Sequence, residues 1–152
     1  MYLRHSVLRA LSSHRTGLVP GGLVLLALAG CGTRGGHADA RQTVLRVTER
    51  DFQITAPKRS ASGDLVLSVQ NRGPDAHELI VVREPGSRLP LRRDGSTVSE
   101  EKLDRVTAGV LEPGHPGSNR KLRLHLAPGR YVLFCNMSGH YLGGMHTELV
   151  VQ

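Results

Sequence analysis

Cys135, His140 and Met145 follow one another at intervals of five residues in the stretch F-C-N-M-S-G-H-Y-L-G-G-M. A thiolate, an imidazole and a thioether thus share one loop, and together they suit a soft transition metal. Gly139, Gly143 and Gly144 interrupt that loop. Glycine accepts positive φ without strain, so the backbone can fold back and turn the three side chains toward one point. A thiolate and imidazoles in a trigonal plane, with a weak axial methionine, form the ligand set that copper uses for one-electron transfer. That set needs a second imidazole. His77 is the best candidate, because it stands in the turn-rich segment N-R-G-P-D-A-H-E-L just before the apolar run Leu79 to Val82.

The pattern C-x4-H-x4-M after Y-V-L-F, with N-x-G-x-x-x-H upstream, resembles the cupredoxins of the plastocyanin and azurin type. It is similar in particular to the small bacterial copper-binding domains that carry C-N-x-x-G-H-Y-x-x-G-M. The resemblance covers roughly residues 43–152. It implies one copper ion in a type 1 site held by His77, Cys135, His140 and Met145, and an electron carrier with the intense blue colour of a copper–thiolate bond, not an enzyme. It also implies that His140 lies near the surface as the electron port. Leu142, Gly143 and Gly144 then belong to a small apolar patch for a transient redox partner. One departure is Glu78, where plastocyanins carry an asparagine that ties the two ligand loops together.

The elements that must position these residues read as short strands. Val44 to Thr48 and Phe52 to Thr55 read as one interrupted edge strand, followed by a turn around Pro57 to Gly63. Leu65, Leu67 and Val69 alternate and should face a core, while the evenly apolar run Leu79 to Val82 suits a central strand. Leu122, Leu124 and Leu126 alternate again, Pro128-Gly129 turns the chain, Tyr131 to Cys135 is expected to run antiparallel, and Thr147 to Val151 closes the domain. Residues 83–120 are the least regular. Within them Thr97 and Glu100 have capping-box spacing, which predicts a short helix from Val98 to Val106. About seven or eight short strands with turns between them predict an all-β, Greek-key two-sheet β-sandwich carrying a short helix in the 83–120 region.

Ahead of this domain, residues 1–30 carry a basic stretch and an apolar segment from Leu18 to Ala29, the layout of an export signal. Leu28-Ala29-Gly30-Cys31 resembles the bacterial lipobox, which implies lipid on Cys31, and residues 31–42 read as a flexible tether. The expected protein is therefore exported and anchored by lipid to the extracytoplasmic face of a bacterial membrane. Its two cysteines, Cys31 and Cys135, invite a disulfide, but with Cys31 lipidated Cys135 has no partner, and metal ligation accounts for the lone thiol.

The formal charge of +7 includes Arg4, Arg9 and Arg15 of the signal, whose removal leaves 17 basic against 13 acidic residues. No basic run is interleaved with aromatics, so nucleic acid is not an expected partner, and the domain is expected to act as a monomer. Hydrophobic residues make up 39% but aromatics only 3%, so the core must be mainly Leu and Val, which favours β-structure.

His146 reads as a surface or outer residue beside Met145, and His115 and His125 do not repeat the spacing seen at Cys135. No H-x-H pair occurs, and multicopper oxidases build their trinuclear centre from such pairs. A copper-delivery protein would use the same ligands as an electron carrier. Apart from the initiator, the methionines are only Met137 and Met145, a scarcity that favours electron transfer over delivery. A metal-free structural module would be expected to lack at least one ligand.

Overall fold

The computed structural model describes residues 42–83 and 88–152. The expected signal, the lipobox with Cys31 and residues 31–41 of the tether lie outside them.

Nine strands build the described part: β1 (Thr43–Arg50), β2 (Gln53–Thr55), β3 (Arg59–Ser60), β4 (Gly63–Asn71), β5 (His77–Arg83), β6 (Thr107–Gly114), β7 (Asn119–Leu126), β8 (Gly129–Phe134) and β9 (His146–Val151). They form two sheets, ordered β2-β1-β4-β7 and β3-β9-β8-β5-β6. The chain crosses between the sheets after β2, β3, β4, β6 and β7, which gives the sandwich expected from the spacing of short strands.

Alternating residues of both sheets meet in one core. Leu45 and Val47 of β1, Leu65, Leu67 and Val69 of β4, and Leu124 and Leu126 of β7 pack against Leu79, Val81, Leu133, Leu149 and Val151. Each such side chain contributes about 1.5–3 kcal/mol by leaving water.

A second cluster explains why β5 is apolar on both faces. Ile80, Val82 and Phe134 point out of the sandwich and are covered by Leu89, Val98 and Leu103 of the 83–120 region. A strand buried on both sides needs no polar face.

Three local expectations are corrected. The interrupted edge strand is a hairpin: β1 runs into Asp51 and Phe52, then reverses into β2 with Arg50 opposite Gln53. Phe52 carries the sharp turn at φ 60°, and β1 is internal, paired in parallel with β4. The predicted helix is a single α-turn, α1 (Glu100–Leu103), continued by a 3-10 turn (Asp104–Val106). Its N-cap is Ser99, without a side-chain cap, because Val98 is already committed to a bridge with Leu91. Finally, β7 and β8 are not a hairpin; β7 pairs with β4 in one sheet and β8 with β5 and β9 in the other.

Strand β6 went unrecognised in the irregular region because Gly109 and Pro113 break its pattern. Both have structural reasons: β6 is an edge strand, where proline is tolerated, and a Cβ at Gly109 would overlap the Leu124 side chain of the facing sheet.

Candidate metal centre

Strand β8 delivers Cys135 to one end of the sandwich, fully buried. The loop that follows folds back on itself through its own amides. Cys135 N donates to Met145 O (3.1 Å), His140 N to Met137 O (2.9 Å) and Met145 N to His140 O (2.9 Å). These bonds tie the three expected C-terminal ligands together through the backbone. Gly139 and Gly144 supply the turns, at φ 80° and 102°.

His77 arrives from the other side as the first residue of β5 and is also fully buried. Its approach is shaped by Asn71, whose Nδ2 donates to Asp75 O (2.7 Å) and Gly114 O (2.9 Å) and whose Oδ1 accepts from Gly73 N (2.9 Å). One buried amide thus folds the whole N-R-G-P-D-A-H turn.

The potential ligand atoms of His77, Cys135 and His140 all lie within 4.8 Å of one another. Cys135 Sγ is 3.5 Å from His140 Nδ1, and the two imidazole centres are 5.1 Å apart. Met145 is completely buried in the same core cluster as Cys135. His146 is exposed and packs its ring on Tyr141, 5.0 Å away, while His125 pairs with Asp64 on the surface.

Of these donors, His77 stands without an aligned hydrogen bond of its own. Both ring nitrogens of His77 are out of contact with water and neither makes a hydrogen bond. Burial, with His140 adding to it, holds the His77 imidazole below its ordinary pKa and therefore neutral, while Asp51 opposes the shift. Burial pushes the Cys135 thiol up to about 11, even though backbone amides of Glu78 and Met137 donate to its sulfur. Two imidazoles and a thiol converging on one point, with a buried thioether in the same cluster, fit one type 1 copper ion by donor chemistry.

Glu78 turns out to make a tie of its own. Its Oε1 accepts from Asn136 N (3.1 Å), so the residue after His77 holds the residue after Cys135. Burial, followed by repulsion from Glu100, raises the Glu78 carboxyl above its ordinary range. Asn136 extends the connection outward. Its Oδ1 accepts from Val98 N (2.6 Å), and its Nδ2 donates to Val98 O (3.1 Å) and Glu100 Oε1 (2.7 Å). The 83–120 region is thereby fastened to the ligand loop.

Sequence reasoning gave Asn136 and Asp51 no role, and it read Phe52 only as part of an edge strand. The Phe52 ring is 5.5 Å from the His140 ring, and a Cβ at Gly143 would overlap it.

Comparison with solved structures agrees with this fold. The chain is similar to reduced auracyanin from the photosynthetic bacterium Roseiflexus castenholzii (18% identity, 73% of this chain and 98% of that one, TM-score 0.55). It is similar also to auracyanin A, a "blue" copper protein of Chloroflexus aurantiacus (12%, 73% and 99%, 0.53), and to rusticyanin of Thiobacillus ferrooxidans (12%, 72% and 78%, 0.55). These are cupredoxins, and the described domain has the cupredoxin fold. No protein-family model and no curated protein matches the sequence.

Proposed function

We propose that the protein is a one-electron carrier that works outside the cytoplasm, with a type 1 copper ion held by His77, Cys135, His140 and Met145. The observation that carries this reading is the convergence of His77, Cys135 and the partly buried His140, with His77 Nδ1 buried and unpartnered. Bound there, copper would supply a centre that takes up and releases one electron.

The chain's own residues supply rigidity and dryness. The backbone bonds within residues 135–145 hold the donors in place before any ion arrives, so little rearrangement accompanies a change of charge. Amides aimed at the Cys135 sulfur stabilise its anionic form. His140 is only partly buried, and Leu142 (55% exposed) and Phe52 (52% exposed) flank it as apolar surface. That surface is where a transient redox partner would dock, with His140 as the port.

A carrier and a delivery protein separate in one comparison. Fast electron self-exchange in the copper-loaded protein, with copper retained against a competing chelator, supports the carrier. Rapid loss of copper to the chelator with slow self-exchange contradicts it.

Because the metal-free Cys135 thiol is protonated well above neutral pH, copper must displace its proton. Apparent Cu(II) affinity should therefore rise about tenfold per pH unit between roughly pH 7 and 9, since ligands bind deprotonated. Titrations at stepped pH check the slope; an affinity independent of pH in that range would exclude the thiol as a ligand.

The membrane anchor rests on Leu28-Ala29-Gly30-Cys31. Among the described residues no helix is long and apolar enough to cross a membrane. In a bacterial host, Cys31→Ala should release the protein from the membrane fraction and abolish fatty-acid labelling; retention with label intact would refute the anchor.

A further inference from the structure

The turn between β1 and β2 is only two residues long, yet it reaches both imidazoles of the centre. Asp51 Oδ1 lies 3.0 Å from His77 Nε2, and the Phe52 ring lies edge-on to His140. Both approaches depend on missing side chains opposite them. A Cβ at Gly73 would stand 2.7 Å from Asp51 Oδ1 and from His77 Nε2, and one at Gly143 would overlap Phe52.

The turn is also strained. Phe52 is the only residue other than glycine at positive φ among those described. A bulky side chain in that region is strained, and such strain gathers at functional sites.

Asp51 Oδ1 and His77 Nε2 are both buried atoms without an aligned hydrogen bond. Each is the other's close polar neighbour, at 3.0 Å. The Asp51 side chain is 29% exposed, whereas that of His77 is wholly buried. The carboxylate is placed to accept a hydrogen bond from an Nε2–H, which leaves Nδ1 as the bare nitrogen.

We infer that Asp51 is a positioning residue for the metal centre: its carboxylate holds the proton of His77 on Nε2, keeps Nδ1 free for copper, and places one negative charge beside the ion. Partners of this kind orient metal-bound histidines and raise their basicity. The charge favours Cu(II) over Cu(I), so Asp51 lowers the reduction potential. This inference rests on the proposed copper reading.

The test compares the full chain with Asp51→Asn and Asp51→Ala. Asparagine keeps an oxygen acceptor and removes the charge; alanine removes both. The copper-loaded Asp51→Asn protein should favour Cu(I) about tenfold more than the parent, a rise of about 59 mV for a one-electron couple. Asp51→Ala should lose about 10–100-fold in copper affinity.

A readout independent of copper is the nitrogen NMR signal of His77 in the metal-free protein. It should report a single Nε2-protonated tautomer in the parent and in Asp51→Asn, and a mixture in Asp51→Ala. Thermal melts of the metal-free variants establish that each is folded. If both variants keep the parent's potential, affinity and tautomer while the parent is blue, Asp51 has no positioning role. If the parent itself binds no copper through Cys135, the copper reading fails first, and the tautomer measurement alone decides whether Asp51 orients His77.

Discussion

Cys135→Ser is expected to abolish the intense visible absorption of the copper-loaded protein and to weaken copper binding by more than the roughly 10–100-fold that loss of an outer-sphere partner costs. Thiolate is the soft donor of the set, and a serine hydroxyl at neutral pH is neither anionic nor polarisable. The fold should survive. Serine is smaller than cysteine, and its oxygen can accept from the Glu78 and Met137 amides that now reach the sulfur. Absorption spectra and copper titrations of the two proteins, run beside thermal melts, separate loss of the ligand from loss of the fold. A variant that stays blue would place the thiolate elsewhere.

The second large effect concerns a buried ion pair beside the centre. Glu49 on β1 is wholly buried, and its Oε2 is 2.6 Å from Arg120 Nη2 on β7. Arg120 Nη1 also donates to the backbone carbonyl of Glu112 on β6, so one guanidinium joins both sheets. The other carboxylate oxygen, Oε1, has no partner. Removing one member of such a pair leaves an uncompensated buried charge, which costs about 3–5 kcal/mol. Arg120→Met should destabilise the protein by about that much at pH 8.

The deficit should shrink on acidification. Burial raises the Glu49 carboxyl above its ordinary 4.5 although Arg120 pulls it down, so the native state holds this proton more tightly than the unfolded chain does. The associated stability is fully present below about pH 4.5 and is lost as pH rises through the native value. Without Arg120 that native value moves higher still. Urea midpoints at pH 4.5 and pH 8 should therefore show a small difference from the parent in acid and a large one in alkali. Adding Glu49→Gln to Arg120→Met should recover most of the loss at pH 8. An equal deficit at both pH values would mean that Arg120 acts through packing alone.

The C-terminal half of the centre was legible in the sequence because it is local. Cys135, His140 and Met145 lie on one loop, and its glycines announce that the loop folds back. His77 was legible only through chemistry, since a copper site with one imidazole is incomplete. The alternation of Leu65, Leu67 and Val69 and the even run of β5 likewise reported which faces are buried.

What escaped notice depends on contacts between residues distant in sequence. Asp51 meets His77 and Asn136 meets Val98 only after the sheets have formed. The β1–β2 reversal was missed because Asp51-Phe52 contains neither glycine nor proline, and a phenylalanine at positive φ is not a turn signal. The fastening through Glu78 was missed for another reason. The expected tie was made by an asparagine at that position, whereas here a carboxylate one bond longer reaches the Asn136 amide.

The most direct measurement is a Cu(II) titration of the full chain followed by visible absorption. Four converging side chains at one end of the sandwich require saturation at one equivalent with an intense blue band. A colourless Cu(II) complex, or no uptake at all, would contradict that convergence and leave a cupredoxin fold without its electron-transfer centre.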